Sequence, residues 1–407
     1  MMSTRQYYTD SYTTQFEASC VELTTHEGKP AIVLDTSYFY PTSGGQPHDT
    51  GLLNKIHVVD VVVRGEDEAV LHVLDAPLDS SESISGRIDW ERRFDHMQHH
   101  SGQHILSRAF EDLLGAETLS FHLSENSVTI DVNYPDIQPE DLVNIETLAN
   151  KIVMENHPVR AWFPQEDELP KLHLRKIPEK AGGNIRVVDI GGFDICACGG
   201  THVAMTGEIG LIKIVRLERV RKATRVEFCC GGRALQDYRE KNDILLNLAN
   251  ELTTGFREVP EAFARMQNEN RTLVKEFKTA RQRLLVFEAD EMWEQARQSA
   301  PESGVVVVDH IWQDRLAGDL QGMMQQFMQK PRTIALMGIA GEKAHLVYAC
   351  SEDLNYNVLP LLEASLETLG TRSGGGRPTL AQGGGFSATG EQLAHVINLA
   401  KARALRR

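Results

Sequence analysis

The sequence predicts an α+β protein of several domains, and three observations indicate this architecture. Its 407 residues are more than a single hydrophobic core usually organises. Short alternating apolar segments give way near residue 90 to segments with helical periodicity. A long charged stretch with helical spacing then separates two parts in which strands and helices alternate. The predicted order is a small β-barrel, an α/β core, a helical hairpin or coiled coil and a C-terminal α/β domain, over residues 1–90, 91–232, 233–300 and 301–407.

The bulk composition is that of a globular protein, with 41% hydrophobic and 24% charged residues. No apolar run reaches the roughly 18 residues that a bilayer span needs, and the polar N-terminus MMSTRQYYTDSYTTQ lacks the apolar stretch of a secretory signal. Six unevenly spaced cysteines favour reduced thiols or metal ligands over a disulfide framework. We therefore predict a cytoplasmic protein with no membrane partner.

The charge of the chain is acidic overall and basic in two places. A net charge of −15 disfavours nonspecific binding of polyanions by the whole protein. The run KIVRLERVRKATR, residues 213–225, carries six basic residues against Glu218, and KARALRR closes the chain. Such runs are often only the solvated face of a strand or helix. Composition therefore leaves both a nucleic-acid contact and an ordinary solvated surface open.

The first 90 residues read as short strands separated by turns. The segments AIVLDTSYFY, IHVVDVVVR and AVLHVLD are rich in β-branched residues and predict a small barrel or curled sheet. Between the first two lies PTSGGQPHDTG, a turn that contains Thr42, Gly44, Gly45 and Gln46. The adjacent glycines indicate a tight turn with unusual backbone angles.

From Glu91 the segment ERRFDHMQHHSGQHILSRAFEDLLG predicts a helix. Asp95, with Gln98 three residues later, is the predicted N-cap, and Gly115 is the predicted end. His100 and His104 are four residues apart, so their side chains project from the same face. Two imidazoles at this spacing commonly hold a metal ion, although such pairs also occur without one.

A second motif, CACGGTHV, supplies two further metal ligands, Cys198 and His202. Zinc in proteins usually takes about four ligands from Cys, His and carboxylate groups. The two motifs together therefore predict one zinc ion per chain. Cys196 remains an alternative to Cys198, His96 is predicted to hydrogen-bond a ligand, and His99 to be a packing or surface residue. Three protein ligands plus water would indicate a catalytic ion, whereas four would fill the shell.

The third segment predicts paired helices. Apolar residues recur at near-heptad spacing after Glu261, as expected for a helical hairpin or an antiparallel coiled coil, at Phe263, Met266, Leu273, Phe277, Ala280 and Leu284. A homodimer through this region or through the C-terminal domain is also open. The last domain reads as β, α, β, β, α, the glycine-rich loop TRSGGGRPTLAQGGG, and a final helix from about Gly390.

These motifs resemble those of a known family. HHSGQH and CACGGTHV are similar to the zinc motifs in the editing domain of alanyl-tRNA synthetase and in its free-standing relatives, the AlaX proteins. YPTSGGQPHDTG resembles the family's glycine motif, although Ser43 stands where many relatives carry a third glycine. The C-terminal GGGRPTLAQGGG resembles a domain shared with DHH-type phosphoesterases and associated with RNA. The resemblance covers almost the whole chain and indicates a long AlaX protein.

The resemblance implies zinc-dependent hydrolysis, in trans, of tRNA(Ala) wrongly charged with serine or glycine. The chain starts at the barrel, without the aminoacylation module of a complete synthetase, so amino-acid activation is not expected. The implied metal ligands are His100, His104, Cys198 and His202. Thr42 is predicted to recognise the serine hydroxyl and Gln46 to orient water. Substrate contacts are predicted for Gly44, Gly45, Arg216, Arg219, Arg221, Lys222, Arg372 and Arg377.

Two other functions remain open from the sequence. An RNA-binding module with a structural zinc and no catalysis would carry the same ligands. A phosphoesterase related through the last domain would need an Asp-His-His cluster, and Asp95-His96 lacks the partners for one. The sequence does not distinguish serine from glycine as the preferred residue on the tRNA.

Overall fold

The computed structural model describes residues 3–78, 83–165, 167–175, 185–300 and 304–406. It divides into two compact units, Met1–Leu248 and Ala249–Arg407. Strands and helices occur in both units, which confirms the mixed α+β class. The finer division into four domains stays a prediction. Among the described residues, no helix combines the length and the apolar character that crossing a bilayer requires.

The first unit begins with a curled seven-stranded sheet. Its strand order is β2-β9-β6-β7-β8-β4-β3, and β1 and β5 form a separate short parallel pair. Alternating inward residues such as Ile32, Leu34 and Val61 fill its interior. The strands are β1 Thr4–Arg5, β2 Gln15–Ala18, β3 Cys20–His26, β4 Lys29–Leu34, β5 Thr36–Ser37, β6 Gly51–Leu53, β7 Ile56–Val63, β8 Val70–Leu74 and β9 Ile84–Ile88.

Helix α1, Trp90–Leu114, follows this sheet and carries the histidine pair. Its N-cap is Asp89, whose side chain accepts a hydrogen bond from the backbone N–H of Arg92. The prediction of Asp95 as the cap is therefore wrong, because the helix starts earlier and the Asp95 carboxylate is held by Arg233. Gly115 ends the helix with φ 64°, as predicted, since glycine adopts left-handed angles without steric cost.

A buried arginine fixes α1 against the turn that contains the glycine motif. Arg93 donates from Nε to Asp49 Oδ1 at 2.9 Å, and its other nitrogens reach the carbonyl oxygens of Ser11 and Tyr38 at 2.8 and 2.6 Å. Asp49 also accepts from the backbone N–H of Tyr40 at 2.6 Å. Because both charged side chains are fully buried and fully paired, the relative position of helix and turn is strongly constrained.

The rest of the first unit packs two further sheets around α1. One has the order β10-β11-β16-β15 and the other β12-β13-β14. Met97, Ile105 and Phe110 of α1 share a core with Ile130 and Phe228 of the four-stranded sheet. The elements are β10 Thr118–Leu123, β11 Val128–Val132, α2 Pro139–Met154, β12 Val159–Trp162, β13 Val187–Ile190, β14 Asp194–Ala197, β15 Ile212–Val220, β16 Ala223–Cys230 and α3 Gly231–Glu251.

The carboxylate of Asp95 on α1 contacts two partners, Arg233 and His99. Arg233 Nε donates to Asp95 Oδ1 at 2.8 Å, and His99 Nδ1 lies 3.3 Å from the same oxygen. Burial alone would raise the pKa of Asp95, but hydrogen bonds and charge from His99 and Arg233 outweigh it and lower the pKa to about 2. The ionised carboxylate is therefore favoured more in the folded state than in the unfolded state.

We expect Asp95→Asn to lower the free energy of unfolding by about 2 kcal/mol at pH 7. Because the folded-state pKa lies below the ordinary value of 3.8, this stabilisation is present above about pH 4 and is lost as the pH falls toward 2. Urea unfolding of both proteins between pH 7 and pH 2.5 measures the difference, with Glu91→Gln, an exposed position on α1, as the control. A stability difference that stays constant with pH would contradict the assignment.

The second unit contains one five-stranded sheet with the order β17-β18-β19-β21-β20. Strands β17 and β18 are parallel, and the remaining neighbours are antiparallel. Thr389 caps the last helix through a capping box with Gln392. The elements are α4 Val259–Gln298, β17 Val306–Trp312, α5 Ala317–Met328, β18 Thr333–Ile339, β19 Gly341–Cys350, α6 Leu359–Thr368, β20 Gly374–Arg377, β21 Leu380–Ala388 and α7 Gly390–Leu405.

The glycine-rich segment of this unit is a β-hairpin, so the prediction of a loop is wrong. Strands β20 and β21 pair in antiparallel register, with Gly374 opposite Gly383. A Cβ atom at Gly374 would lie 2.6 Å from Leu366 and 2.8 Å from the carbonyl of Gln382. A Cβ atom at Gly383 would also meet Leu366, at 2.8 Å. The glycines therefore allow the hairpin to lie directly against α6.

Candidate metal centre

The two predicted ligand motifs meet in the first unit. Helix α1 supplies His100 and His104, and the loop after β14 supplies Cys198 and His202. The candidate ligand atoms of all four residues lie within 4.8 Å of one another. Cys198 Sγ is 3.3 Å from Nε2 of His100 and 3.3 Å from Nε2 of His202.

These separations suit a small tetrahedrally coordinated ion. An ion of zinc's size lies about 2.3 Å from sulfur and 2.0–2.1 Å from nitrogen, so a tetrahedron places those donor atoms about 3.5 Å apart. The observed 3.3 Å from Cys198 Sγ to each imidazole is close to that value. Three imidazoles and one thiolate are also a donor set that zinc accepts. The cluster could therefore hold one metal ion.

Each histidine of the cluster is oriented by a hydrogen bond on the nitrogen that faces away from Cys198. An acceptor at Nδ1 fixes the ring orientation and leaves Nε2 for a metal ion. The contacts are His100 to Gln46 Oε1 at 2.8 Å, His104 to Asp194 Oδ2 at 2.7 Å, and His202 to Ser101 Oγ at 3.1 Å. The hydrogen-bonding role predicted for His96 is therefore wrong. His99 is a packing residue, because it is buried and accepts from the backbone N–H of Cys230 at 3.0 Å.

Asp194 also belongs to the site, although it was not predicted from the sequence. It is fully buried on β14, between His104 and Arg175, whose Nε donates to Asp194 Oδ1 at 2.6 Å. Burial alone would raise the pKa of Asp194, but His104 and Arg175 lower it to about 2. The signal in the sequence was a carboxylate two residues before Cys196 on a strand of period two, where both side chains point inward.

The Cys198 thiol favours its ionised form. Burial raises its pKa, but the charges of His100 and His202 outweigh that effect and hold the pKa well below its usual value. The thiolate is the form that binds metals. Arg186 stabilises the loop by donating from Nη1 to the carbonyl oxygens of Cys198 and Gly200 at 2.8 and 2.9 Å. Cys196 lies outside the group of converging ligand atoms, so the geometry favours Cys198.

Gln46 is buried and both ends of its side chain are occupied. Oε1 accepts from the backbone N–H of Thr201 at 3.1 Å as well as contacting His100, and Nε2 donates to Thr201 Oγ1 at 2.8 Å. The neighbouring Gly45 has φ 83°, and a Cβ there would lie 2.5 Å from the carbonyl of Phe121. The turn is thus held against the ligand loop and β10, and Gln46 contacts a candidate ligand, His100.

A cavity of 260 Å³ opens beside the cluster. His100, His104 and Cys198 form part of its wall, and Gly44 of the glycine motif forms another part. Four of the residues that line it carry a hydroxyl group: Tyr40, Ser43, Thr118 and Ser120. Three of these hydroxyls donate within the protein: Tyr40 to the Ser43 carbonyl oxygen, Thr118 to Ser107 Oγ and Ser120 to Asp131 Oδ2.

Thr42 does not line this cavity. Its side chain is exposed, and its Oγ1 accepts from the backbone N–H of His48 at 3.1 Å and lies 3.1 Å from His48 Nδ1. Paired backbone hydrogen bonds between Ser43 and Gln46 close the turn tightly. As a result, Ser43 and Gly44 line the cavity wall, and Thr42 remains bonded to His48 at the start of the turn.

Comparisons with known proteins agree on a family. A family profile described as the threonyl and alanyl tRNA synthetase second additional domain matches residues 185–227. The alanine–tRNA ligase of Pyrococcus furiosus is 32% identical over 393 residues, covering 93% of this chain and 41% of the ligase. The alanyl-tRNA editing protein AlaX-L of Pyrococcus horikoshii is 30% identical over 405 residues, covering 94% of each chain. The chain belongs to the AlaX-L family.

The resemblance stated from the motifs is thus confirmed. The chain spans about two fifths of the length of the alanine–tRNA ligases it matches. It is also 34% identical over 282 residues to the alanyl-tRNA editing protein Aarsd1 of Bos taurus, covering 65% of this chain and 63% of that protein. The C-Ala domain of Aquifex aeolicus alanyl-tRNA synthetase matches 24% of this chain and 89% of its own at 17% identity, with a TM-score of 0.22 that is too low to inform the fold.

In this member of the AlaX-L family the basic run forms an exposed hairpin. Strands β15 and β16 meet at a turn made by Arg221, with φ 57°, and Lys222. Four basic side chains on the hairpin are exposed and have no ion-pair partner among the described residues: Arg216, Arg219, Arg221 and Lys222. The flanking Arg225 differs, because it pairs with Asp131 at 2.8 Å.

The other predicted substrate residues of this AlaX-L chain lie in the second unit. Arg372 precedes β20 and Arg377 ends it, and both are exposed. Within the part of the chain that the structure describes, neither makes an ion pair with a carboxylate. The predicted site residues thus fall into two groups, one in the ligand cluster and the glycine-motif turn, and one on exposed hairpins.

Proposed function

We propose that this protein hydrolyses tRNA(Ala) misacylated with serine or glycine, in trans and without aminoacylation activity. The observation that carries the proposal is the His-His-Cys-His cluster, three of whose ligands form part of the wall of an open cavity. Support comes from the relatives named alanyl-tRNA editing proteins, one of which aligns with nearly the whole chain. A cytoplasmic location is part of the proposal, because tRNA charging takes place there.

We assign one zinc ion per chain to His100, His104, Cys198 and His202. When bound, zinc would polarise the ester carbonyl and anchor the aminoacyl end of the tRNA, with water as the nucleophile. The remaining contributions come from the protein. Gln46 positions the His100 ring, and this role takes the place of the predicted orientation of water. On the side of the cluster the cavity wall is buried, at Tyr40, His100 and His104, and hydrogen bonds to the substrate are stronger where water is excluded.

Selection against alanine requires recognition of what serine has and alanine lacks. A pocket sized for alanine discriminates only modestly against one extra hydroxyl, by roughly 100-fold, whereas a site built to hydrogen-bond that hydroxyl can discriminate more strongly. We propose that the turn from Thr42 to Gly45 supplies this recognition. Ser43 lines the cavity directly, and Thr42 would contribute if substrate displaced its bond to His48.

We propose that the exposed cations contact the tRNA backbone. The hairpin residues Arg216, Arg219, Arg221 and Lys222 follow the ligand loop in sequence and are not neutralised by carboxylates of the described chain. Arg372 and Arg377 would make further phosphate contacts from the second unit. Because phosphate contacts release counterions, such residues determine how steeply affinity falls with salt.

We expect the double variant Arg219→Ala with Arg221→Ala to bind tRNA more weakly and with a shallower salt dependence. Each phosphate contact that is lost should reduce the slope of log affinity against log salt by roughly 0.7–0.9. Filter binding of tRNA(Ala) between 50 and 250 mM salt measures this slope. Arg225→Ala is the matched control on the same hairpin, because Arg225 is engaged by Asp131. An unchanged slope in the double variant would remove this hairpin from the proposed tRNA contact.

The test of the function is hydrolysis of three charged tRNAs. Metal-loaded protein should release serine and glycine from tRNA(Ala) and leave Ala-tRNA(Ala) intact. Stripping the metal with a chelator should stop the release, and adding zinc back should restore it. If the loaded, folded protein binds tRNA(Ala) but hydrolyses none of the three esters, the alternative function, an RNA-binding module with a structural zinc, replaces the proposal.

A further inference from the structure

Phe163, the residue that follows β12, is an exposed aromatic side chain. It is 41% exposed, and its ring meets that of Tyr8 at a centroid distance of 5.9 Å and an angle of 80°. In a near-perpendicular contact the edge of one ring meets the face of the other, so Tyr8 leaves at least one face of Phe163 uncovered. Single apolar residues on a surface are ordinary. The position of Phe163 in its sheet therefore decides whether the ring could bind a ligand.

Phe163 lies at the same end of the three-stranded sheet as the metal loop. Val187 of β13 pairs with Trp162 on one side and with the residue before Cys198 on the other. One position further along, the backbone N–H of Cys198 donates to the carbonyl oxygen of Arg186 at 3.1 Å. Because Phe163 follows Trp162 directly, it occupies the same position of the register. Two strand spacings, about 10 Å, therefore separate the backbone of Phe163 from that of Cys198.

Tyr8 connects Phe163 to the wall of the cavity. A Cβ atom at Gly199, which lines the cavity, would meet Tyr8 Cε1 at 3.7 Å. The Arg186 guanidinium lies 5.6 Å from the centre of the Tyr8 ring, and its Nε donates to the Tyr8 carbonyl oxygen at 2.9 Å. Arg186 is buried and also donates to the carbonyl oxygen of Cys198. Phe163 and Tyr8 therefore form an aromatic surface next to the cavity, supported by Arg186.

The cavity is too small for a whole aminoacyl nucleoside. Its volume of 260 Å³ lies below the size of about 300 Å³ at which pockets for drug-sized ligands begin. An amino acid esterified to the terminal ribose of a tRNA is joined to the terminal adenine by only a few bonds. When the aminoacyl group occupies the cavity, the adenine must therefore lie just outside it. Because every nucleobase has a π face, an exposed aromatic ring at that place is a suitable partner.

We propose that the terminal adenine of the tRNA stacks on Phe163 while its aminoacyl ester lies in the cavity, an inference that rests on the proposed function. The aromatic surface of Phe163 and Tyr8 then holds the base at a set distance from the ligand cluster and directs the ester toward it. Stacking is tolerant of sequence, since it uses the face of the base and not its hydrogen-bonding edge. This contact therefore positions the end of the tRNA and leaves selection of the amino acid to the cavity.

Binding of a stable substrate analogue tests the contact. The probe is an RNA stem–loop with the acceptor end of tRNA(Ala), whose terminal ribose carries serine through an amide bond, and a matched probe lacks only the terminal base. The full-length, zinc-loaded wild type should bind the complete probe about 5- to 150-fold more tightly, the range expected for one stacked base. Phe163→Ala should bind both probes equally, whereas Phe163→Tyr should keep the preference. Fluorescence anisotropy measures each dissociation constant.

Two other exposed apolar residues provide control variants. Leu119 lines the cavity and is 55% exposed, and Phe256 of the second unit is 50% exposed. Leu119→Ala and Phe256→Ala should both keep the wild-type preference for the complete probe. Because the result is a ratio between two probes, a variant that only loosens the fold weakens both and leaves the ratio unchanged. Circular dichroism and bound-metal content show whether each variant is folded.

The adenine site is wrong if the wild type binds both probes equally, or if Phe163→Ala retains the full preference. Loss of the preference in Leu119→Ala and not in Phe163→Ala would place the base against β10 instead. None of these measurements requires hydrolysis. A protein that shows the expected ratios but releases no serine from Ser-tRNA(Ala) would disprove the proposed function alone, and one that releases serine without these ratios would disprove the adenine site alone.

Discussion

Cys198→Ala should lose its bound metal and reduce hydrolysis of Ser-tRNA(Ala) at least about 100-fold. Cys198 is the single thiolate of the four converging donors, and its low thiol pKa shows that the surrounding histidines favour the ionised ligand. Without it, the three remaining imidazoles supply no negative charge to offset that of a metal ion. Bound metal is measured by elemental analysis after dialysis against a weak chelator, and hydrolysis by release of labelled serine.

The matched control for this experiment is Cys196→Ala. Cys196 is also buried and lines the same cavity, but its sulfur is not among the converging ligand atoms. We expect this variant to retain one metal ion per chain. Loss of metal from Cys196→Ala, with retention in Cys198→Ala, would exchange the roles of the two cysteines and reopen the alternative that the sequence left undecided.

Gly200→Ala should damage the same centre without altering any ligand. A Cβ atom at Gly200 would lie 2.1 and 2.2 Å from atoms of the His100 ring and 2.9 Å from Gln46 Oε1. Contacts this short cannot persist, so the ring or the ligand loop must move. A misplaced ligand typically costs 10–100-fold in metal affinity, and we expect a loss of roughly that size. Competition with a chromophoric chelator measures the affinity directly.

Gly199→Ala is the control for this steric argument. The added Cβ would meet its nearest atom, Tyr8 Cε1, at 3.7 Å, which is an ordinary van der Waals contact. Both variants remove the same backbone freedom from the same loop, so a difference between them isolates the clash with His100. Equal metal affinities for the two variants would show that the loop adjusts freely and that His100 is not held as tightly as the structure indicates.

The four candidate ligands were predictable because their signals are local. His100 and His104 share a helix face by the i,i+4 rule, and Cys198 and His202 lie in one short loop. Gly115 likewise predicted the end of α1 correctly. The metal itself remains a proposal. Each ligand pair could be predicted from its own motif, and the structure adds that the two pairs converge.

The residues that orient those ligands were not predictable in the same way. Gln46 and Thr201 are 155 residues apart in sequence, and His104 and Asp194 are 90 apart. No spacing rule connects such pairs, because the packing of separate sheets brings them together. Thr42 illustrates a second limit of prediction from the sequence, which concerns residues within one short turn. The sequence places Thr42 in a tight turn, but which side chain of such a turn lines a cavity depends on backbone angles that composition does not encode.

The predictions of the α1 cap and of a glycine-rich loop were wrong because tertiary contacts decide both features. Asp95 has the right chemistry for a cap, yet its carboxylate pairs with Arg233, and Asp89 caps the helix six residues earlier. The glycine-rich segment of the second unit was predicted to be a loop. In the structure Gly374 and Gly383 permit close packing of the β20–β21 hairpin against Leu366, because a side chain at either position would clash with it.

The long sequence separations within the metal centre have a consequence for biosynthesis. During translation the turn with Gln46 emerges first, then α1, and about ninety residues later the loop that ends at His202. The three segments can only meet after that last loop has been made and β14 has paired. Full coordination of the proposed ion can therefore be reached only after His202 has been synthesised, and metal binding would then add its free energy to the folding of the first unit.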